Sequence, residues 1–257
     1  RFAVDTRWLI YLPPTMSPSE TSRAPGLLEH PGEAFGYYRH QGVARVVCEE
    51  KHMGSRAVVV VCRDQDAARR RFGVVEDVAG ICYTRTGRRF FEDRAVEAEF
   101  IARIQKAMDG LWDEFETDWM CLDCELMPWS AKAQALLSQQ YAAVGSAARA
   151  SLADVMSALE KAERNNGELT SLLDRYRERA TAAEKYVDSY RRYCWPVHSL
   201  DDLKLAPFHL LATEGKVHTD RDHVWHMQTL KRLCDADEGL LLATSHLVVD
   251  VTDTGSQ

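Results

Sequence analysis

Cys48-Glu49-Glu50-Lys51-His52-Met53-Gly54-Ser55-Arg56 lies between two apolar runs, Val43-Ala44-Arg45-Val46-Val47 and Ala57-Val58-Val59-Val60-Val61-Cys62. Both runs are rich in β-branched residues and too short for ordinary helices, which predicts two strands. Gly54 and Ser55 supply turn residues between them. The expectation is a strand pair with Lys51 at its mouth, glutamates before it and Arg56 after it. A lysine so placed is ordinarily a solvated hairpin residue. It becomes a nucleophile where burial or neighbouring positive charge keeps its amine neutral. The stretch alone does not decide between the two.

The chain of 257 residues has room for one large domain or two small ones, and at 46% hydrophobic it can bury a core. A net charge of -7 argues against a generally basic nucleic-acid coat, although Arg69-Arg70-Arg71, Arg88-Arg89 and Arg191-Arg192 leave room for a local basic groove. No apolar stretch approaches the roughly 18 residues of a membrane span, and no signal peptide is seen. The seven cysteines lie mostly in apolar runs, which points to free thiols in a reducing, cytoplasmic compartment. Cys121 and Cys124 are spaced as C-x-x-C, but in a stretch that reads as a strand. Their side chains then point to opposite faces and are poorly placed to chelate one ion.

Taken in order, Trp8-Leu9-Ile10-Tyr11-Leu12 reads as a short strand closed by Pro13-Pro14. Residues 15–29 form a loop, and Pro31 opens a helix running to Gly42 with Phe35 and Tyr38 on its apolar face. A short basic helix or loop over 65–72, a strand from Gly80 ending in a turn at Gly87, a helix over 95–117 and a strand over 118–127 follow. From about Ser130 to Tyr193 the chain turns rich in Ala, Leu, Glu and Arg, with no strand signal. Ser151 with Asp154 resembles a capping box, and Asn165-Asn166-Gly167 a helix stop. Leu169, Leu172, Leu173, Tyr176, Ala180, Ala183, Val187 and Tyr190 form one apolar stripe opposite Arg175, Arg177, Arg179, Lys185, Arg191 and Arg192. Such a stripe ordinarily packs in a core; the opposite face is either solvated or turned to RNA. Beyond Pro196 come an apolar strand over 205–212, a helix over 218–233 and further apolar sequence over 240–251. His223 and His226 share a face of that helix and could share a ligand, but no third ligand is evident.

Four elements now fall in order. Glu49-x-Lys51-x-x-Gly54-x-Arg56 resembles the nucleotidyl-transfer signature of ATP-dependent ligases and RNA capping enzymes. Thr84-Arg85-Thr86-Gly87 resembles their second element, Leu122-Asp123-Cys124-Glu125-Leu126 the third, and Ala206-Pro207-Phe208-His209-Leu210-Leu211 the fourth. The wording Glu-Glu-Lys-His-Met-Gly-Ser-Arg, Tyr-Thr-Arg-Thr-Gly-Arg-Arg-Phe-Phe and Glu-Leu-Met-Pro-Trp-Ser-Ala-Lys is similar to the ligase domain of the bacterial RNA-repair polynucleotide kinase-phosphatase. The resemblance spans most of the chain. It implies an α+β, antiparallel-sheet nucleotidyltransferase (ATP-grasp-like ligase) fold with the AMP site between two sheets. Its core would occupy residues 1–129 and 194–257, interrupted by an α-helical insert over 130–193.

The resemblance also implies the chemistry. The amine of Lys51 would attack the α-phosphorus of ATP, with Mg²⁺ or Mn²⁺, to form a lysyl-AMP phosphoramidate and release pyrophosphate. Glu49 would meet the adenine amino group, Arg56 and Glu125 the ribose, Arg85 the ribose or a phosphate, and Phe208 the adenine face. Glu125 is also the candidate metal ligand. The implied partners are RNA with broken ends, an RNA 3′-end methyltransferase, and the kinase and phosphatase domains of the parent polypeptide.

Two departures are visible. Met53 stands where most ligase signatures carry an acid, which favours the kinase-phosphatase branch over DNA ligases. The family's last elements, strands of the types Glu-Gly-x-Val and Lys-x-Lys, are not found, so the sequence reads as C-terminally truncated. The alternatives are a DNA ligase or capping-type transferase, or a non-catalytic RNA-binding or scaffolding module.

Overall fold

The computed structural model describes residues 4–14, 20–129, 131, 137–167 and 169–256. Part of the loop expected over 15–29 and the start of the helical region at Ser130 lie outside the described residues. The chain is mixed α/β with antiparallel strand pairs, and divides into two compact units.

The larger unit comprises residues 1–52, 56–126 and 204–257. Its elements are α1 (Pro31–His40), β1 (Arg45–Glu49), β2 (Ser55–Cys62), α2 (Gln65–Phe72), β3 (Gly80–Thr84), α3 (Arg94–Ala107), α4 (Asp109–Glu114), β4 (Trp119–Met127), β5 (Lys204–Thr213), β6 (Lys216–Val217), α7 (His223–Asp235) and β7 (His246–Asp250). Five strands form one sheet in the order β3-β2-β4-β5-β6, and β1 pairs with β7 in a second, two-stranded sheet.

This topology corrects the expected strand pair. β1 and β2 belong to different sheets: Arg45 to Glu49 run antiparallel to Asp250 to His246, while Ala57 to Val61 pair with Thr84 to Gly80. The reason lies in the composition of β2. Every side chain from Ala57 to Cys62 is fully buried. A strand apolar on both faces needs cover above and below and neighbours on both sides. β3 and β4 fill those places, which leaves no edge for β1. Ser55 is accordingly the first residue of β2 rather than part of a turn.

One face of the large sheet carries Val58, Val60, Cys62, Ile81, Tyr83 and Cys121, packed with Trp8, Ala67, Phe72 and Trp119. Trp8 does not begin a strand. Asp5 caps a single 3-10 turn, Thr6–Trp8, and the indole stacks on Phe72 with ring centroids 4.6 Å apart. Residues 9–14 lie outside the strands of both sheets; the Tyr11 carbonyl accepts from the Tyr83 hydroxyl at 2.9 Å. The arginines of α2 are engaged by protein: Arg69 pairs with Asp66 and Asp77, Arg70 with Asp118, and Arg71 lies over Trp119.

Three helix expectations change in detail. α1 runs from Pro31 to His40 with Phe35 buried, but Tyr38 is exposed. The helix expected over 95–117 breaks at Met108 into α3 and α4, where the Met108 amide is shared between Ile104 and Gln105 and Gly110 follows with low helix propensity. α7 begins at His223, not His218, because Asp222 caps it by accepting from the Trp225 amide. Among the described residues no helix is long and apolar enough to cross a membrane.

The smaller unit comprises residues 53–55 and 127–203. It is dominated by two packed helices, α5 (Ala142–Asn166) and α6 (Thr170–Arg191). α5 runs straight through Ser151, so the capping box expected there does not form, while Gly167 closes the helix in the left-handed region at φ +64°. Leu173, Ala183 and Val187 of the α6 stripe are buried. Gly145 of α5 lets Val187 approach closely: a β-carbon there would stand 2.9 Å from it. Tyr141, Tyr186, Tyr190 and Trp129 form an aromatic cluster.

Trp8 makes a specific prediction. Trp8→Ala removes a fully buried indole that joins the N-terminal turn to α2, and is expected to cost about 3–5 kcal/mol. The check is chemical denaturation, in which a midpoint equal to that of the unsubstituted protein would show that the N-terminal turn is dispensable.

Candidate active site

Lys51 lies in the exposed connection between the two sheets. Its neighbours tie that connection down. The Glu50 amide donates to the Ser245 carbonyl at 2.9 Å, and the His52 ring meets the Thr244 hydroxyl at 3.0 Å. Both anchors belong to the segment leading into β7. The residues on either side of Lys51 are thus held by the segment that leads into β7, while β2 begins a few residues later in the large sheet.

Arg56, at the start of β2, forms a two-pronged pair with Asp123 of β4, at 2.7 Å from Nε to Oδ1 and 2.5 Å from Nη2 to Oδ2. Asp123 is 2% exposed. Charge-assisted bonds of this fork geometry are among the strongest side-chain contacts. Asp123 raises the Arg56 guanidinium above its ordinary value, with Tyr11 and Glu125 adding to the effect. The same guanidinium lies over the Phe208 ring, 5.0 Å from its centroid. Burial and then the Asp123 carboxylate push the Tyr11 phenol up. Glu125, two residues beyond Asp123 on β4, shares its face and is half-buried.

Arg85 follows the last β3 residue. Because Thr84 pairs with Ala57, the antiparallel register sets Arg85 opposite Arg56 one step further along. The turn that carries it is built by Gly87 at φ +75°, whose amide donates to the Thr84 carbonyl at 2.8 Å. Its base is fixed by Arg89, which pairs with the buried carboxylate of Glu97 on α3. Burial pushes the Glu97 carboxyl up, and Arg89 opposes that shift.

Glu49, the last residue of β1, is met by His223 at the start of α7, whose Nε2 contacts Oε1. His223 thus contacts a carboxylate, and its ring centroid is 6.2 Å from that of His226. His226 is fully buried, its Nε2 donates to the His218 carbonyl at 3.2 Å, and its ring packs 3.9 Å from that of His209 on β5. Cys121 and Cys124 are both buried in β4, and burial raises both thiols. Among the described residues no group of three or more His, Cys, Asp or Glu is arranged to hold a metal ion.

The larger unit thus gathers Arg56, Asp123, Phe208 and Glu125 at one place. His209 of β5, whose pKa burial lowers, packs beside the His223 that meets Glu49. Three contributors escaped sequence reasoning. Asp123 was visible as the first acid of the Asp-x-Glu element; its signal was a charge in an otherwise apolar strand. Tyr11 was hidden by reading its stretch as a strand. His223 gave only a histidine spacing, with nothing to connect it to Glu49 so far away in the chain.

A family model for the PNKP adenylyltransferase domain, ligase domain, matches residues 1–257. The class so matched is a ligase-type adenylyltransferase domain. The chain belongs to the PNKP ligase-domain family. No curated protein matches it. Among solved structures it is similar to a chain of "Structure of Pnkp1/Rnl/Hen1 complex", at 16% identity and a TM-score of 0.62, with 95% of this chain and 64% of that one covered. A chain of "Structure of the Pnkp1/Rnl/Hen1 RNA repair complex" is similar at 16% identity and a TM-score of 0.59, with 94% and 64% covered. At that identity the likeness is one of fold, and this chain spans 64% of the length of those it matches.

The Arg56–Asp123 pair can be tested by stability. Asp123→Ala strands a partly buried guanidinium and is expected to cost about 2–3 kcal/mol, below the range for wholly buried pairs because Arg56 keeps some solvent. Arg56→Leu combined with Asp123→Leu should recover most of that loss. Thermal and urea denaturation of the single and double variants measure it; a double variant as unstable as the single one would mean that the pair does more than neutralise itself.

Proposed function

We propose that this domain is an ATP-dependent adenylyltransferase that charges Lys51 with AMP as the first step in sealing broken RNA ends. The observation that carries this reading is that Arg56 of the first element, Asp123 and Glu125 of the third and Phe208 of the fourth meet on the larger unit. The family membership and the RNA-repair setting named for the structural neighbours support it.

In the step proposed, the neutral Lys51 amine donates its electron pair to the α-phosphorus of ATP. The P–N bond forms, the bond from that phosphorus to the bridging oxygen breaks, pyrophosphate leaves with those electrons, and Nζ loses a proton. Glu49 accepts from the adenine amino group. Arg56, held in place by Asp123, meets the ribose together with Glu125, and Arg85 meets the ribose or a phosphate. Phe208 offers a face to the base, and Arg56 covers part of that ring. Glu125, on the same face of β4 as Asp123, would be the residue that holds Mg²⁺ or Mn²⁺. One or two carboxylates plus substrate phosphates is the ordinary protein site for Mg²⁺, so the residues fit. Such an ion would neutralise charge on the phosphates as pyrophosphate departs.

Incubation with α-labelled ATP and Mn²⁺ followed by a denaturing gel tests the reading. The wild type in its full-length polypeptide is expected to carry covalent label and Lys51→Ala none. Absence of label from the full-length wild type would sink the enzyme reading in favour of a scaffold, and preference for labelled GTP would point to capping.

The α-helical insert, residues 130–193, is proposed to serve RNA or a partner such as an RNA 3′-end methyltransferase, with kinase and phosphatase domains elsewhere in the polypeptide. Its deletion should leave Lys51 labelling within about threefold and reduce RNA sealing or partner binding at least tenfold. Loss of self-labelling would instead place the insert in the catalytic core.

A further inference from the structure

Glu49 is met by a residue that no part of the sequence signature contains. His223 stands at the first position of α7, and its Nε2 contacts Glu49 Oε1. Three features fix the imidazole there. Asp222 anchors the helix end by accepting from the Trp225 amide at 2.8 Å. His209 of β5 packs beside it, ring centroids 5.7 Å apart. His226 backs His209 from below and is itself held by the His218 carbonyl. α7 packs on β5, so the same contact that builds the fold carries His223 to the end of β1.

The consequence concerns the acceptor state of Glu49. A carboxylate that receives an N–H at one oxygen is held in one orientation. Ionised, it only accepts; it has no hydrogen to donate. We propose that His223 is a positioning residue for base selection: by donating to Glu49 it keeps that carboxylate an aimed acceptor, so that the site takes a purine with an exocyclic amino group and rejects one with a carbonyl oxygen at the same ring position. This inference rests on the role given to Glu49 in the proposed function.

The arrangement also carries a pH dependence. The groups facing His223 are Glu49 from β1, His209 from β5, and Asp222 and His226 on its own helix. Glu49 contributes most and holds His223 protonated to a higher pH than an ordinary histidine, against the opposing effect of burial. The charge-assisted contact therefore weakens as pH rises through that raised value.

Equilibrium binding of ATP and of GTP, each with Mg²⁺, to the full-length polypeptide by titration calorimetry tests this. His223→Ala is expected to weaken ATP about tenfold and to shrink the preference over GTP by a similar factor, as loss of one charge-assisted bond does. His223→Gln, whose amide can still donate to Glu49, should restore most of both. The wild-type preference for ATP should fall as pH rises from roughly 6 to 9, and the preference of His223→Gln should stay flat. Unchanged affinity and preference in His223→Ala would overturn the inference while leaving the adenylylation reading intact. Equal losses in the Ala and Gln variants would also overturn it, reducing His223 to a fold contact. A wild type that binds no ATP would remove both this inference and the reading on which it rests; one that binds ATP but takes no label on Lys51 would remove the reading alone.

Discussion

The run from Ala57 to Cys62 buries every side chain on both faces of its strand, and much of the larger unit follows from that demand. Each fully buried valine favours folding by about 1.5–3 kcal/mol relative to exposure, so a register that left one face bare would forfeit several such contributions together. Cover has to come from two sides. α2, Trp8 and Phe72 supply it on one, and β3 and β4 flank the strand in its plane. β1 is displaced to a second sheet, and the stretch from Glu50 to Gly54 becomes the crossing between them. The lysine is exposed because the strand that follows it is so completely buried.

At the mouth of the same strand the apolar logic gives way to charge. Arg56 sits near the start of β2 and Asp123 in the middle of β4, with Asp123 almost wholly desolvated. A buried ion pair is a weak source of stability, since desolvation offsets most of the Coulomb gain and apolar replacements of similar size often do as well. What the pair does supply is a guanidinium with a fixed plane. It lies over Phe208 of β5 and next to Glu125, so side chains from three adjacent strands are brought into one register. On the proposed reading this is the platform for the sugar and the base.

The elements whose pattern is local were legible from residue order alone. The buried β2, the apolar β5, the proline that opens α1 and the stripe of α6 all announce themselves by spacing and composition. What could not be read is what depends on pairing over distance. The partner of β1 is β7, roughly two hundred residues away in the chain, and nothing in the sequence of either strand names the other. Trp8 looked like a strand residue because its neighbours are apolar; it is instead a plug, and the chain around it closes locally, with the Trp8 amide donating to the Asp5 carbonyl and the Leu9 amide to that of Thr6. The break at Met108 was masked by a hydrophobic spacing that continues across it. For the site, motif order named Lys51, Arg56, Arg85, Glu125 and Phe208 as candidates, of which the structure brings Arg56, Glu125 and Phe208 together, whereas Asp123 and Tyr11 gained meaning only from geometry.

The histidines of the α7–β5 contact pose a final question of cost. His226 is fully buried, and its Nδ1 has no hydrogen-bond partner. Burial pulls its pKa down to about 4, so the ring is neutral, and an unpartnered polar atom in such a place costs on the order of 1–3 kcal/mol. A leucine or phenylalanine would fill the space without that cost. Local choices that disagree with stability are expected to concentrate at functional sites. Here the disfavoured ring packs on His209, which packs beside His223, which holds Glu49. A neutral His226 adds no positive charge beside His223, whereas a protonated one would oppose the protonation of His223 and so loosen its hold on the carboxylate. The desolvation that makes His226 costly is therefore what lets its neighbour carry the charge.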